Sequence, residues 1–335
     1  MQAACVREST TLQHFPDGRN LDTIVSTSGN KLRQRLAEAT LELVRIPSVT
    51  GDERKIAHHM ERWALGLPSV GRDDVIRQGN SLIIGQPDGR RPCVALCGHL
   101  DTVPPHASDP EPSLDAGRVH GRGASDMKGG IAVMQLLYEE LELERLPFNV
   151  MLIFYDGEEG PYENSGLGPL LDSYEILHDV DLAIAMEPTD NTLQLGCLGN
   201  IHARIVVHGK TGHSARPWEG DNAIHKAGPL LVRLAGRPVN EVRVGELVFR
   251  ESMTVTMASG GIARNVLPDR FEMNLNYRFA ATDDIPGAIE AAKQAIRTAA
   301  PEAEIDLTDV APPGTVPTDN PVLEHLTRQG ELEVR

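Results

Sequence analysis

Three uninterrupted apolar runs constrain the fold of this chain more than any other feature. They lie at residues 93–97 (CVALC), 150–155 (VMLIFY) and 182–186 (LAIAM). Runs of this length and composition are typical of strands that are covered on both faces of a sheet. Segments with helical periodicity separate them, including a long one at residues 126–144. Strands that alternate with helices predict an α/β architecture with a mostly parallel sheet flanked by helices.

The second half of the chain has a different pattern. Alternating apolar and polar residues, typical of half-exposed strands, recur at 201–209, 252–259, 270–279 and 303–307, and helical segments occupy 222–235 and 285–300. This βαββαβ order predicts a ferredoxin-like α+β domain. We expect it at residues 198–308, inserted into a first domain of residues 31–197 and 309–335, after a disordered extension at residues 1–30.

Composition and charge argue against several classes of function. The 335 residues include 48 acidic and 32 basic side chains, which give a formal net charge of −16. This balance argues against binding to nucleic acid, which requires a basic surface, and against binding to an anionic membrane. No apolar run approaches the roughly 18 residues of a transmembrane helix, and the N-terminus lacks the pattern of a secretory signal. We therefore expect a cytoplasmic protein whose four cysteines are buried thiols.

Acidic and histidine-bearing motifs follow the apolar runs. Residues 98–101 (GHLD) follow the first run, 156–160 (DGEEG) the second and 187–189 (EPT) the third, while 123–126 (GASD) opens the long helical segment. Ligands of open α/β sheets bind at the carboxyl ends of the strands. Each motif alone could be a turn or a solvated loop, but together they predict one site that collects histidine and carboxylate side chains.

The residue types in these motifs indicate metal-assisted hydrolysis of an amide. Neutral imidazole with carboxylates suits Zn²⁺, Co²⁺ or Mn²⁺, and in a His-x-Asp pair the carboxylate can brace the imidazole. Two adjacent glutamates allow one to bind metal while the other acts as a base toward water. A serine hydrolase is disfavoured because the sequence contains no GxSxG motif.

These motifs resemble those of a known family. GHLDTVP, GRGASDMKGG, DGEEG and MEPT, in this order and spacing, resemble the M20 metallopeptidases, and GKTGHSARPWEGDNAIHK, ARNVLP and NYRFA resemble their dimerisation domain. The resemblance covers roughly residues 31–330. It implies a zinc-peptidase-like catalytic domain with an inserted dimerisation (lid) domain, a homodimer, and a small N-acyl amino acid as the substrate.

The resemblance also implies one or two Zn²⁺ ions, for which Co²⁺ or Mn²⁺ could substitute. His99, Asp126 and Glu187 would hold the first ion, and Asp126 would bridge to a second ion that Glu159 also binds. In the family, the second ion takes a further histidine from an AHTxDE-like motif near the C-terminus, and this sequence contains no such motif. We therefore expect a chain that is truncated at its C-terminal end, with a complete first metal position and an incomplete second one.

Other matching residues would act in catalysis or on the substrate. By the resemblance, Asp101 would orient the histidine ligand and Glu158 would be the general base. His213 would stabilise the oxyanion of the tetrahedral intermediate, supplied by the lid of the partner subunit. Asn265 and Arg278 match lid positions that contact substrate, and an arginine suits a substrate carboxylate.

Within the family, HSARPWEGDNAIHK followed by NYRFA is most similar to the succinyl-diaminopimelate desuccinylases of the actinobacterial type. This implies hydrolysis of N-succinyl-LL-2,6-diaminopimelate to succinate and LL-2,6-diaminopimelate, in lysine and diaminopimelate biosynthesis. Another M20 amidase, such as an acetylornithine deacetylase, an aminoacylase or a dipeptidase, remains an alternative because substrate choice depends on a few pocket side chains. A further alternative is an inactive fragment or a non-catalytic dimerising relative.

Overall fold

The computed structural model describes residues 29–281 and 284–316. Its helices are α1 (Gly29–Val44), α2 (Arg54–Leu65), α3 (Gly129–Glu140), α4 (Leu167–Ser173), α5 (Ala223–Ala235) and α6 (Ile285–Arg297). Its strands are β1 (Val75–Gln78), β2 (Ser81–Ile84), β3 (Cys93–His99), β4 (Ser113–Asp115), β5 (Arg118–His120), β6 (Asn149–Tyr155), β7 (Leu182–Ala185), β8 (Gly199–His208), β9 (Gly212–His213), β10 (Asn240–Val244), β11 (Leu247–Gly260), β12 (Val266–Leu267), β13 (Arg270–Phe279) and β14 (Glu304–Ala311). Within these ranges, every helix falls short of the length or the hydropathy that a bilayer span requires.

The described chain divides into two compact units between Leu193 and Gln194. The first unit contains a five-stranded sheet with the order β1-β2-β6-β3-β7. β6, β3 and β7 are parallel and contain the three apolar runs except Met186, which follows β7, so the predicted α/β class is confirmed. β1 and β2 are antiparallel because only Gly79 and Asn80 connect them, whereas a parallel connection needs a dozen or more residues. The sheet is therefore mixed, and its parallel half carries the predicted metal motifs.

Helices of the first unit bury apolar faces against this sheet. On α2, Ile56, Ala57, Met60 and Ala64 are buried at helical spacing. They belong to a core that also includes Phe154 of β6. Full burial of one such large side chain contributes about 1.5–3 kcal/mol to folding, so this core holds the strands whose ends carry the motifs.

The long predicted helix at residues 126–144 is shorter in the structure. α3 begins only at Gly129, because Asp126 (φ −120°, ψ 98°) and Met127 (φ −129°, ψ 32°) have backbone angles outside the helical region. It ends at Glu140. Asp126 thus lies in the connection before the helix.

Two predicted segments lie largely outside the described residues. The predicted disordered extension covers residues 1–30, but α1 already begins at Gly29, and residues 1–28 are not described. The predicted C-terminal return to the first domain is not described beyond residue 316. The domain ranges therefore remain predictions.

The second unit is built on an antiparallel sheet with the order β10-β11-β13-β8-β14. Without β10, its main elements run β8-α5-β11-β13-α6-β14, which is the predicted βαββαβ order. β10 was not predicted because its sequence, NEVRV, is short and mostly polar, and its residues are half-buried or exposed at the sheet edge. β14 extends to Ala311, three residues beyond the predicted boundary at residue 308. α5 and α6 pack on this sheet in a separate apolar core.

Candidate metal centre

Three predicted ligands come together at the carboxyl ends of the parallel strands. His99 is the last residue of β3, Glu187 lies two residues after β7, and Asp126 lies three residues before α3. One donor atom from each lies within 4.8 Å of the others. The Nε2 atom of His99 is 3.0 Å from Oδ1 of Asp126 and 3.9 Å from Oε1 of Glu187. His99 is buried and Asp126 is exposed, so the group is shielded from solvent on the His99 side and open to solvent on the Asp126 side.

Glycines without side chains allow these segments to approach each other. A Cβ atom at Gly98 would lie 2.9 Å from Cε of Met127, and one at Gly130 would lie 2.3 Å from the backbone oxygen of Met186. Neither contact is possible for a residue with a Cβ atom unless the neighbour moves. The close packing at Gly98 and Gly130 therefore brings the Asp126 connection and α3 against both strand ends.

This donor set fits a divalent cation. Oε1 of Glu187 is buried and has no hydrogen-bond partner among the described residues. A buried carboxylate oxygen without a partner is costly unless an ion or a proton satisfies it. One imidazole nitrogen and two carboxylate oxygens that converge are ligands of Zn²⁺ and related transition metals. The arrangement of His99, Asp126 and Glu187 thus matches what one such ion requires.

Asp101 is completely buried and lies against the Nδ1 side of His99. Nδ1 of His99 lies 3.0 Å from the backbone oxygen of Asp101 and 3.4 Å from its Oδ1. Because both oxygens are acceptors, the neutral imidazole carries its proton on Nδ1 and presents the lone pair of Nε2 toward the metal position. The structure therefore brings together the predicted brace and the histidine that it was predicted to hold.

Burial and charge act in opposite directions on these groups. Burial lowers the pKa of His99, but the hydrogen bond to Asp101 and the charges of Glu187 and Asp126 outweigh it and raise the pKa to about 10. Burial raises the pKa of Asp101, yet hydrogen bonds from His99 and from two backbone amides lower it below its usual value. Burial, which is opposed by the charge of His99, raises the pKa of Glu187 to about 7. An excess of carboxylates around one imidazole favours the binding of a cation at this position.

The two glutamates of the DGEEG loop are anchored to the same buried carboxylate. The backbone N–H of Glu158 donates to Oδ1 of Asp101, and that of Glu159 donates to Oδ2, both at 3.0 Å. Burial raises the pKa of both side chains, and the charge of Asp126 raises that of Glu159 further. Within the described residues, neither glutamate belongs to the three-residue group around His99. Their roles as general base and second-metal ligand remain predictions.

The other predicted site residues lie in the second unit. His213 is on β9 and Asn265 precedes β12, and the backbone N–H of Ser214 donates to the backbone oxygen of Asn265 at 2.9 Å. Arg278 is on β13, and its Nε atom donates to Oδ1 of Asn276 at 3.3 Å. All three predicted residues are exposed. The structure thus brings His213 and Asn265 together in one short ribbon and locates Arg278 on the main sheet of the unit.

Two polar residues that contact the site segments, Thr50 and Lys128, were not predicted from the sequence. The hydroxyl of Thr50 donates to Oδ2 of Asp101 at 2.9 Å, and Nζ of Lys128 donates to the backbone oxygen of Ile46 at 2.8 Å. Burial lowers the pKa of Lys128 to about 8. Lys128 lies inside the DMKGG motif, but Thr50 lies outside all the motifs. The partners are 51 and 82 residues apart in the sequence, so no local pattern could reveal these contacts.

Two protein-family models match this chain, one mainly in each of the two compact units. The M20-type peptidase dimerisation domain matches residues 196–304, and peptidase family M28 matches residues 82–207. A Corynebacterium glutamicum protein named succinyl-diaminopimelate desuccinylase is 38% identical over 255 residues, which cover 75% of this chain and 68% of that protein. A protein of the same name from Gluconacetobacter diazotrophicus is 32% identical over 282 residues, which cover 79% of this chain and 72% of that protein.

A solved structure shares the fold. The M20 family metallo-carboxypeptidase of Sulfolobus solfataricus has a TM-score of 0.70 at 16% identity, over 89% of this chain and 84% of that one. The α/β fold and the histidine–carboxylate group define a metal-dependent hydrolase. The chain is 38% identical to the Corynebacterium protein over most of both sequences, and it contains the dimerisation domain of the family. It therefore belongs to the M20 metallopeptidase family. The resemblance predicted from the motifs is confirmed.

Proposed function

We propose that this protein hydrolyses the amide bond of N-succinyl-LL-2,6-diaminopimelate and releases succinate and LL-2,6-diaminopimelate, as a step of lysine and diaminopimelate biosynthesis. The group formed by His99, Asp126 and Glu187 carries the proposal, because an ion bound there could act on an amide carbonyl. The relatives named succinyl-diaminopimelate desuccinylase support this substrate over other N-acyl amino acids. The buried free thiols Cys93 and Cys97 support the predicted cytoplasmic location.

The proposed metal is Zn²⁺, with Co²⁺ or Mn²⁺ as substitutes. His99, Asp126 and Glu187 would hold one ion, and Asp101 would keep the imidazole in the tautomer that binds it. When bound, the ion would act as a Lewis acid that polarises the amide carbonyl and makes water more acidic. A second ion would have Asp126 and Glu159 as ligands, and the charge of Asp126 acting on Glu159 supports this, because a cation would offset the repulsion between the two carboxylates.

In this proposal, Glu158 moves the proton. Its carboxylate would take a proton from the attacking water and deliver it to the nitrogen of the leaving amine. Burial raises the pKa of Glu158, which brings it closer to the working pH and makes it a better base. The hydrogen bond from its backbone N–H to Asp101 supports this role by holding the loop beside the ligand histidine.

The second unit would serve as the lid and the dimerisation domain, and the first unit as the catalytic domain. The dimerisation-domain match at residues 196–304 supports a homodimer. His213 would stabilise the oxyanion in the active site of the partner subunit. Asn265 would contact the substrate nearby, since it lies in the same ribbon as His213. Arg278 would bind a substrate carboxylate through its guanidinium.

A direct assay tests the proposed reaction. The purified chain is stripped of metal, reloaded with Zn²⁺ or Co²⁺, and supplied with N-succinyl-LL-2,6-diaminopimelate, N-acetylornithine or a dipeptide in parallel. We expect succinate release from the first substrate, with the largest kcat/KM of the three. A larger kcat/KM for N-acetylornithine or the dipeptide would reject the proposed substrate and leave the M20 hydrolase class intact. Bound metal without any amide hydrolysis would favour a non-catalytic relative.

A further inference from the structure

Asp101 accepts hydrogen bonds from the loop that carries the DGEEG motif and also from a residue outside all the metal motifs. Its Oδ1 accepts from the backbone N–H of Glu158 and lies 3.4 Å from Nδ1 of His99. Its Oδ2 accepts from the backbone N–H of Glu159 and from the hydroxyl of Thr50 at 2.9 Å. Thr50 belongs to the connection between α1 and α2, far from these motifs in sequence.

A short segment, residues 46–50, presents this hydroxyl, and we call it the strap. The strap runs beside Thr102, the residue after Asp101. The backbone N–H of Thr102 donates to the oxygen of Ser48 at 2.9 Å, and the backbone N–H of Thr50 donates to the oxygen of Thr102 at 3.1 Å. These two backbone bonds fix the register of the strap, so that the side chain of Thr50 meets the carboxylate of Asp101.

The turn that follows the strap is also held by a buried group. Gly51 has a φ of +92°, in the left-handed region that favours glycine. Its N–H donates to Oε1 of Glu53 at 2.7 Å, and Glu53 is 2% exposed. This bond fixes the backbone that follows Thr50, whose hydroxyl lies 2.9 Å from Oδ2 of Asp101 and 3.3 Å from the backbone oxygen of Thr102.

The other end of the strap is bound to the Asp126 connection. Nζ of Lys128 donates to the backbone oxygen of Ile46 at 2.8 Å, and the side chain of Lys128 is 2% exposed. Lys128 lies two residues after Asp126 in the sequence. The strap therefore connects the segment of one metal ligand to the carboxylate that braces another.

From this geometry, we propose that Thr50 is a positioning residue for the metal centre. Its hydroxyl holds Oδ2 of Asp101, so that Oδ1 stays directed at His99 and at the backbone N–H of Glu158. Without this donor, Oδ2 keeps only the backbone N–H of Glu159, so the carboxylate can rotate, and the imidazole keeps only the backbone oxygen of Asp101 as a fixed partner. The inference rests on the proposed function in taking His99 as a metal ligand.

Metal affinity tests the role of Thr50 directly. Zn²⁺ is titrated into metal-free protein in competition with a chromophoric chelator, for wild type, Thr50→Val, Thr50→Ser and Thr50→Cys. We expect Thr50→Val, which removes the hydroxyl at nearly constant shape, to weaken binding by about 10–100-fold, the usual loss for an outer partner of a metal ligand. Thr50→Ser keeps a hydroxyl and should restore most of the affinity. Thr50→Cys, a weaker donor, should bind less tightly than Thr50→Ser.

Thr40 provides a matched control in α1. Its hydroxyl also donates a 2.8 Å hydrogen bond, to the backbone oxygen of Leu36, and the residue is 6% exposed. Thr40→Val should keep wild-type metal affinity. Thermal unfolding of the metal-free proteins measures the loss of stability in Thr40→Val and in Thr50→Val. Wild-type affinity in Thr50→Val overturns the proposal, as does an equal loss in Thr40→Val. If Thr50→Val does not fold, equal affinities of the serine and cysteine variants overturn it.

Turnover separates this inference from the proposed function. If the wild type binds Zn²⁺ but releases no succinate, the proposed substrate fails, and the affinities still decide on Thr50. If the wild type is active and Thr50→Val keeps its affinity, only the role of Thr50 fails. A wild type without affinity for Zn²⁺ overturns both. In protein saturated with Zn²⁺, we expect Thr50→Val to lower kcat more than it raises KM, because Thr50 acts through Asp101.

Discussion

At the residue scale, two adjacent glutamates share one backbone anchor and differ in surroundings. The backbone N–H groups of Glu158 and Glu159 both donate to Asp101. After burial, the main influence that raises the pKa of Glu159 is the charge of Asp126, whereas Glu158 is influenced most by His99, which lowers its pKa. This difference favours a metal-ligand role for Glu159 and a proton-transfer role for Glu158.

Replacing Glu158 tests the proton-transfer role. Glu158→Gln keeps the shape of the side chain but cannot accept a proton from water, so we expect kcat to fall by about 10²–10⁴-fold. Zinc content, measured by atomic absorption, should stay at the wild-type value because Glu158 lies outside the three-residue group. Glu163→Gln, an exposed change in the following segment, is the control and should leave kcat unchanged. Near-normal turnover in Glu158→Gln would exclude Glu158 as the base.

Protons should compete with the metal for the same ligands. In the metal-free protein, the pKa of Glu187 is raised to about 7 and that of His99 to about 10. A raised pKa means that the proton stays bound to a higher pH, so a metal ion must displace it. We expect the apparent Zn²⁺ affinity to rise more than about tenfold between pH 6 and pH 8, as measured by competition titration. An affinity that is constant across this interval would contradict the assignment of these ligands.

At the element scale, the position of α3 depends on a glycine in its first turn. A Cβ atom at Gly130 would meet the backbone oxygen of Met186 at 2.3 Å, next to Glu187. A backbone oxygen cannot move aside as the end of a flexible side chain can. The helix is therefore packed as closely to the end of β7 as its backbone allows.

Gly130→Ala should push α3 away from this strand end. We expect a loss of about 1–3 kcal/mol in the free energy of unfolding, the usual cost of overpacking, together with weaker metal binding. Denaturant unfolding and Zn²⁺ titration measure the two effects. Leu137→Ala on the same helix is the control, because Leu137 is 38% exposed and its replacement should change stability little. Equal stability and affinity in Gly130→Ala and wild type would show that the segment adapts.

The start of α5 is defined by a side-chain cap. Oδ1 of Asn222 accepts hydrogen bonds from the backbone N–H groups of Ile224 and His225, at 3.0 Å and 3.2 Å. Asn222→Ala leaves these donors without a protein partner, so we expect a loss of about 1 kcal/mol in the free energy of unfolding. Urea unfolding followed by circular dichroism measures the loss. Asn222→Ser retains a capping oxygen and should lose less, and an equal loss in both variants would argue against the cap.

At the scale of the whole molecule, each unit has its own apolar core. One core gathers residues of the first sheet and its helices, and the other gathers residues of the antiparallel sheet with α5 and α6. His99, Asp126 and Glu187 all belong to the first unit. An ion bound to them stabilises the folded state of that unit and not, by its own contacts, the other.

Removing metal should therefore affect one unfolding transition. Binding adds about 2.7 kcal/mol to the free energy of unfolding at a free ion concentration of 100 times Kd. In differential scanning calorimetry, we expect Zn²⁺ to raise the Tm of one transition and a chelator to reverse the change, with the second transition unmoved. His99→Ala should abolish the shift while keeping both transitions. A shift of both transitions by equal amounts would mean that the units unfold together.

Much of the fold and of the metal group could be predicted from the sequence because their signals are local. Each apolar run is followed at once by a motif, so the strand ends that carry His99 and Glu187 were recognisable. The βαββαβ order was visible in the alternation of apolar residues. β10 and the late start of α3 were not predicted. A short edge strand with only two apolar residues gives a weak pattern, and Asp126 leaves helical geometry inside a sequence with helical periodicity.

The sequence by itself determined the three parallel strands, the βαββαβ order, the family and the residues that could bind a metal ion, since these depend on residue type and short spacing. The tertiary structure decided which of these residues meet. It brought one donor atom each from His99, Asp126 and Glu187 within 4.8 Å, and it left Glu159 outside that group. It also brought Thr50 to Asp101 across 51 residues of sequence. The reason is physical: a hydrogen bond or a ligand set needs positions within a few ångströms, and only the packed chain determines those positions.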